Sequence, residues 1–437
     1  MQNGECRKPR NEDVCSARSA AGSRPWSFRT LHSAFCIQMI TLVLPWYGPD
    51  SAGGAESQAR GLARALRGVG APVRVWASTG RDSFHPGADA HYPAGHGELD
   101  GVPLWRWRPS PADERGVPRA LAARPELPDL ARFTVHELRL LGSLLGGDEL
   151  YAAILRERDN PASRFVFLPY PFPGGFWGTA LAPARSYHLA CLHDEPYARY
   201  ATYAWMFAQA RGLLANSHAE ADLARRLYGL SDDKICVAGE GIDLAPRGDG
   251  DRFRRAYGLG ATPLLLYAGR RDEAKNTPAL LAYAREYWAR RGGALRLALM
   301  GPGTLDTGLL YAEGLADLVL DLGFVDEQTK HDAYAAADLF VQPSLHESFS
   351  IVLMEAWLQG APALVHAGCA VTADHARRSG GGLSFDGFGQ FAAALDLLLS
   401  RPDLRRALGQ RGRAYVLETC DWAAVARRTA DFVLGDR

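Results

Sequence analysis

Lysine is scarce in this chain of 437 residues: four of its 49 basic residues are Lys and the rest Arg, a bias that, with abundant Ala and Gly, reflects genome composition more than binding chemistry. Net charge is missing too. Lys plus Arg equals Asp plus Glu at 49 each, so no overall field would hold the chain on nucleic acid, and only a local basic patch would do so. The seven cysteines, at 6, 15, 36, 191, 236, 369 and 420, are odd in number and contain no C-x-x-C. That pattern argues against a disulfide framework or a zinc site and for a reducing cytoplasm. Long apolar runs are also absent, since "FVFLPYPFPGGFWG" at 165–178 is too short for a bilayer and is broken by Pro and Gly. Residues 1–38 lack periodicity and the apolar centre of a secretory signal; they read as a disordered extension, or as a start assigned too early, because "MITLVLPWY" opens a strand at Met39.

The length suits two large domains. From residue 40 onward short apolar runs alternate with longer helical stretches, the pattern of parallel sheets covered by helices. Strands are expected at 40–44, 72–77, 101–107, 164–169 and 186–193, then within "GLLA" and "KICV". A second series follows as "LLLYAGR", "LRLALMG", "LVLDLGFV", "DLFVQPS" and "APALVHA". Between them the polar stretch 243–263 reads as a linker, and 79–128 reads as long loops or an irregular insertion apart from its one strand. The expected division is an N-terminal Rossmann-like domain over 39–245, a second over 246–418, and a final helix over 419–437. Two doubly wound halves bind ligands at the carboxyl ends of their strands, which points to the cleft between them.

Four constellations carry chemistry. "WYGPDSAGGAES" places Gly53 and Gly54 between the first strand and a helix, where backbone amides approach an anion, or where a tight turn simply needs glycine. "YAGRRDEAKN" places Arg270 and Lys275 after the first strand of the second half, two cations suited to a diphosphate or an exposed charged loop. "HESFSIVLMEAW" carries Glu347 before a helix expected from Ser350 to Gln359, with Glu355 within it. Amides at its start favour phosphate. Burying an ionised carboxylate without partners is very unfavourable, so Glu355 faces water on a solvated face with Gln359, finds a cation, or meets a ligand. Finally, "CLHDEPY" sets His193, Asp194 and Glu195 at a strand end, as acid–base groups or as a hydrogen-bonded loop.

Together these residues resemble the retaining GT-B glycosyltransferases of family four, also called group 1. The likeness runs from Met39 to the C-terminus through "GGAE", "HDE", "NS" with Glu220, "GEGID", "GR" with Lys275, "GPG", "LGFV" and "PSLHESFSIVLMEAWLQGAP". It implies two Rossmann-like domains facing each other across a cleft. It further implies that Glu355 binds the nucleotide ribose and Glu347 the donor sugar, while Arg270, Lys275 and the amides of Phe349, Ser350 and Ile351 hold the diphosphate. Gly54 would approach the diphosphate or sugar, and the base would rest near Phe324 and Val325. Configuration would be retained and no bound metal or other cofactor needed.

The sequence departs from that family in one place: Leu168 and Tyr170 stand about where many members carry His-x-His. A catalytic role for His193 is therefore a separate hypothesis, with Gly53, Tyr170, Asp194 and Glu195 as acceptor-side or loop residues. The expected activity is transfer from a nucleotide-diphosphate sugar to a glycan or lipid-linked acceptor of cell-envelope or polysaccharide type. The competing reading is a non-catalytic sugar-nucleotide-binding partner in a glycan assembly complex. Arg60, Arg64 and Arg67 form a basic stripe that would either touch an anionic membrane from the cytoplasmic side or be a solvated face.

Overall fold

The computed structural model describes residues 38–51, 53–82, 90–125, 127–292, 295–303 and 316–435. The extension expected over 1–38 lies, except for Gln38, outside the described residues. The remainder forms two sheets. Strands β1 (Met39–Leu44), β2 (Val73–Ser78), β3 (Gly95–Leu99), β4 (Val102–Trp107), β5 (Ser163–Phe167), β6 (Ser186–Leu189), β7 (Gly212–Ala215) and β8 (Ile235–Val237) build the first. Their order is β3-β4-β2-β1-β5-β6-β7-β8, with only the β3–β4 pair antiparallel. The second sheet holds β9 (Leu264–Ala268), β10 (Arg296–Met300), β11 (Val319–Gly323), β12 (Leu339–Gln342), β13 (Ala363–His366) and β14 (Gly382–Phe385). Its order is β11-β10-β9-β12-β13-β14, all parallel.

Why these strands sit at the centre is visible in their composition. β1, "MITLVL", and β9, "LLLYA", are apolar on both faces because helices cover both sides of a parallel sheet, and all of β9 is buried. In each sheet the order reverses beside the first strand, β1 lying between β2 and β5, and β9 between β10 and β12. Such switch points open crevices at the carboxyl ends of strands.

Several local expectations differ from what is observed. β3, "GHGEL", is an edge strand with little burial, so no apolar alternation reveals it. The stretch "PDLARFTVHELRLLGSLL" forms a short turn, Leu130–Arg132, followed by a helix, Val135–Ser143. Thr134 starts that helix through a capping box with Glu137. The polar linker contains a helix, Gly250–Ala256, capped by Asp249. The arginine stripe gathers around one residue: Arg60 and Arg64 each stand 4.0 Å from the Asp100 carboxylate, and Arg67 donates to the Asp100 carbonyl at 3.3 Å, while Arg64 and Arg67 remain exposed. These side chains hold the β3–β4 turn.

The last helix, Trp422–Leu434, returns to the first sheet, capped by the Asp421 carboxylate on the Ala424 amide at 2.8 Å. Val425, Phe432 and Val433 bury its apolar stripe in the first sheet's core, where Phe432 meets Tyr187 edge-on with ring centroids 5.8 Å apart. Trp422 lies between Gly61 and Gly241, and a Cβ at either glycine would come within 2.2 Å of its ring. The helix therefore ties the N-terminal sheet to the chain that crosses between the halves. Replacing Phe432 by Ala is expected to lower stability by about 3–5 kcal/mol, read from denaturant unfolding; a loss below about 1 kcal/mol would show that the helix contributes little to the fold.

Candidate functional site

The site begins where β9 and β12 end. Gly269, at φ 142°, donates its amide to the Met300 carbonyl at 2.9 Å, and Gly301, at φ 123°, donates to the Gly323 carbonyl at 2.7 Å. A Cβ on Gly301 would sit 2.1 Å from the Gly269 carbonyl oxygen, so glycine is what lets these two loops touch. Beyond Gly269, the Asp272 carboxylate caps a short turn by accepting from the Lys275 amide at 2.9 Å. Asn276 then donates to the Pro343 carbonyl at 3.1 Å, which pins this loop against the one after β12.

That arrangement brings a lysine to each acid of "HESFSIVLMEAW". Lys275 Nζ donates to Glu347 Oε1 at 2.7 Å, and the Gln342 amide donates to the same oxygen at 2.8 Å. Glu355 lies in the helix Ile351–Leu358, where Lys330 Nζ donates to Oε1 at 2.8 Å and the Tyr334 hydroxyl to Oε2 at 3.1 Å. Lys330 and Tyr334 stand four residues apart in the helix Glu327–Ala336, so one face presents both donors. Burial alone would lower the Lys330 pKa; the Glu355 and Glu327 carboxylates outweigh it and raise the pKa above the usual lysine value. The solvated-face alternative for Glu355 is thereby corrected: the side chain is 14% exposed. Gln359 turns instead to the Gly248 amide and the Pro246 carbonyl.

Between the halves lies a cavity of about 560 Å³. Of the residues expected at the site, Gly53, Gly54, Val325, Ile351 and Glu355 line it, with Phe324 at 85% exposure. Ser350, the residue before the helix, adopts φ 74° and is buried, its hydroxyl without a partner among the described residues. The Phe349 ring packs edge-on to His375 in the core. Arg270 is about half exposed and 3.2 Å from the Asp272 carboxylate, whereas its neighbour Arg271 is buried against Asp321.

On the N-terminal side His193 Nδ1 meets Glu195 Oε1 at 3.0 Å, and Asp194 pairs with Arg199. Tyr170 is no acceptor-side residue. It is buried in the first core, stacked on Tyr197 and edge-on to Tyr203, because the apolar segment after β5 turns inward. Glu220 and Glu56 are buried carboxyls. Glu220 accepts from the Leu192 amide at 2.6 Å and the Asn216 amide at 2.5 Å, yet burial outweighs these bonds and pushes its pKa up to about 7. Glu56 lies against Gly53, and burial, assisted by Asp82, raises its pKa to about 7 as well.

Lys330, Tyr334, Glu240 and Trp422 are cavity residues that motif reading had not placed there. A signal existed for Lys330, since it is one of only four lysines in the sequence. Among the described residues no group of three His, Cys, Asp or Glu side chains is arranged to hold a metal ion, and no helix is long and apolar enough to cross a membrane. Cys191, Cys236, Cys369 and Cys420 are free thiols.

The model of the family described as Glycosyltransferase Family 4 matches residues 52–246, and that described as Glycosyl transferases group 1 matches residues 250–415. A D-inositol 3-phosphate glycosyltransferase 2 from Catenulispora acidiphila is 32% identical over 54% of this chain and 59% of its own length. The D-inositol 3-phosphate glycosyltransferase of Nocardia farcinica is 32% identical over 51% of this chain and 52% of its own length. The chain thus spans a little over half the length of these relatives. In fold, it resembles the sucrose-phosphate synthase of Thermosynechococcus elongatus, with a TM-score of 0.66 at 19% identity over 90% of this chain and 98% of that one. Anabaena HepE, solved in complex with UDP, gives a TM-score of 0.66 at 15% identity over 91% of this chain and all of that one. The architecture is the GT-B fold.

Glu56 offers a test of the buried acids. Its folded-state pKa of about 7 stands above the ordinary 4.5, so the stability it contributes by keeping its proton is complete below pH 4.5 and is lost as pH rises through 7. Thermal and denaturant unfolding of Glu56→Gln should show no gain over wild type at the acid end and a gain on the order of 3 kcal/mol above neutrality. A difference independent of pH would mean that Glu56 is ionised throughout.

Proposed function

This chain belongs to the group 1, family 4 glycosyltransferases, and we propose that it moves a sugar from a nucleotide-diphosphate sugar to a glycan or lipid-linked acceptor with retention of anomeric configuration. One observation carries the reading: the two acids of a single loop-helix segment are separated in space and each is held by its own lysine. Glu355 stands in the cavity wall near Val325 and Phe324, and Glu347 stands with Lys275 at the carboxyl ends of β9 and β12. A nucleoside would lie on the first, its ribose hydroxyls donating to Glu355. The diphosphate would lie toward the second, its charge met by Arg270, Lys275 and the first amides of the helix Ile351–Leu358.

These groups stabilise the departing diphosphate electrostatically, which is the main task in breaking the sugar C1–O bond, so the reading calls for no metal or other cofactor. The acceptor hydroxyl forms the new bond to C1 from the face the diphosphate leaves, and its proton passes to the departing phosphate oxygen. Glu347, acceptor-only while ionised, would orient a sugar hydroxyl. His193, held by Glu195, is a candidate acceptor-side group. A cavity of about 560 Å³ is large enough for a nucleotide sugar. UDP-sugars and an inositol phosphate are natural first probes, given the UDP in HepE and the names of the relatives.

The test is nucleotide diphosphate release from a panel of nucleotide sugars, with inositol phosphates and lipid extracts as acceptors. Glu347→Ala is expected to reduce turnover about 100-fold or more, and Lys275→Ala to raise KM and lower kcat together, because it removes a phosphate cation and leaves Glu347 unpaired. Near-normal kcat in Glu347→Ala would overturn the assignment of the acid pair. No release with any donor would favour a binding partner without transfer activity.

A further inference from the structure

Glu240 lies in the chain between β8 and the second sheet, and its backbone has little freedom. The Arg428 guanidinium donates to the Ala238 carbonyl at 2.9 and 2.7 Å, Ile242 donates its amide to the Cys420 carbonyl at 3.0 Å, and Gly241 packs on the Trp422 ring. The residue is 4% exposed, yet it lines the inter-domain cavity, and its Oε1 has no hydrogen-bond partner among the described residues. A buried polar atom left without a partner is unfavourable by roughly 1–3 kcal/mol, so an orphaned oxygen on a cavity wall marks a place where a ligand completes the bonding.

What faces Glu240 decides its chemistry. Burial first, and then the charges of Glu220 on the helix His218–Tyr228 and of Glu347 in the second half, raise the Glu240 pKa well above the ordinary carboxyl value. The Cys191 and Cys420 thiols are pushed up chiefly by burial and so bring no charge toward it. The nearby cations serve other groups: Lys275 is paired with Glu347, His193 lies toward Glu220 and Glu195, and Arg428 is engaged by the Ala238 carbonyl. Such surroundings favour the protonated form of the carboxyl, which can donate a hydrogen bond as no ionised carboxylate can.

We propose that Glu240 is a specificity residue whose unpartnered carboxyl oxygen on the cavity wall hydrogen-bonds a hydroxyl of the transferred sugar. This rests on the donor reading given above. It implies that the sugar is gripped from both halves, by Glu347 on one side and Glu240 on the other. An uncharged, hydroxylated sugar fits such a site. A uronic acid would bring another negative charge toward Glu220 and Glu347, and is disfavoured.

Calorimetric titration of the full chain tests this, with wild type, Glu240→Gln and Glu240→Ala each titrated with a nucleoside diphosphate and with its hexose derivative between pH 6 and 9. Glu240→Ala should bind the nucleoside diphosphate as wild type does and the nucleotide sugar about tenfold more weakly. Glu240→Gln, isosteric and still a donor, should remain within about threefold. Wild-type affinity for the nucleotide sugar should fall on the alkaline side as the acid loses its proton, while that of Glu240→Gln stays flat. Equal weakening of both ligands, no weakening of either, or a preference for amino sugars that strengthens with pH would overturn the proposal. If wild type binds no nucleoside diphosphate at all, the donor reading falls, and this assignment with it.

Discussion

Two lysine–carboxylate pairs organise the second half of this molecule. Glu347 and Glu355 come from one short segment, but Lys275 arrives from the loop after β9 and Lys330 from a different helix. Neither acid could be enclosed to the degree seen, 11% and 14% exposed, without such a partner. Once the pairs form, the loops after β9 and β12 are fixed relative to each other and the helix carrying Glu355 is fixed against its neighbour. The site is therefore organised by electrostatics before any ligand arrives. Lysine suits this role because its compact charge on a flexible stem can be drawn toward a phosphate, whereas a bidentate arginine fork would lock the carboxylate.

The first half contributes carboxyls of another kind. Glu56 and Glu220 are buried, with no lysine or arginine bonded to them among the described residues, and burial raises the pKa of each to about 7. The second half thus supplies acids paired with lysines, and the first half supplies buried acids whose pKa values burial raises. That contrast arises from distribution alone, since the chain as a whole carries equal numbers of acidic and basic residues. Trp422 joins the two sides mechanically by packing between Gly61 of the first helix and Gly241 of the crossing segment.

Much of the fold was legible because central parallel strands are continuous apolar runs, and "LLLYA" or "LFVQ" can hardly be anything else. The parts that were not legible have physical reasons. β3 is an exposed edge strand whose pairing with β4 places Gly95 opposite Arg106, a register no periodicity announces. The helix Gly250–Ala256 is short and polar apart from buried Phe253, so composition alone reads as linker. Tyr170 was read as an acceptor-side or loop residue because it stands about where many family members carry His-x-His, and it does lie in the turn after β5. Its ring instead finds three aromatic partners, Tyr197, Tyr203 and Phe207, in the core.

Sequence by itself determined the family, the two-sheet α/β class and the identity of the paired acids, because motif spacing and apolar runs are properties of neighbours along the chain. It also posed the question of how an acid enters "SIVLMEAW" with no cation nearby in the chain. Only the tertiary structure answered it, by bringing Lys330 from 25 positions away and Lys275 from 72 away from their carboxylates. It alone also turned the arginines of the first helix onto Asp100 and left Glu240 Oε1, on the cavity wall, without a hydrogen-bond partner among the described residues. Charge pairing and desolvation depend on distances through space, and those are fixed when the two sheets fold and the last helix returns to the first.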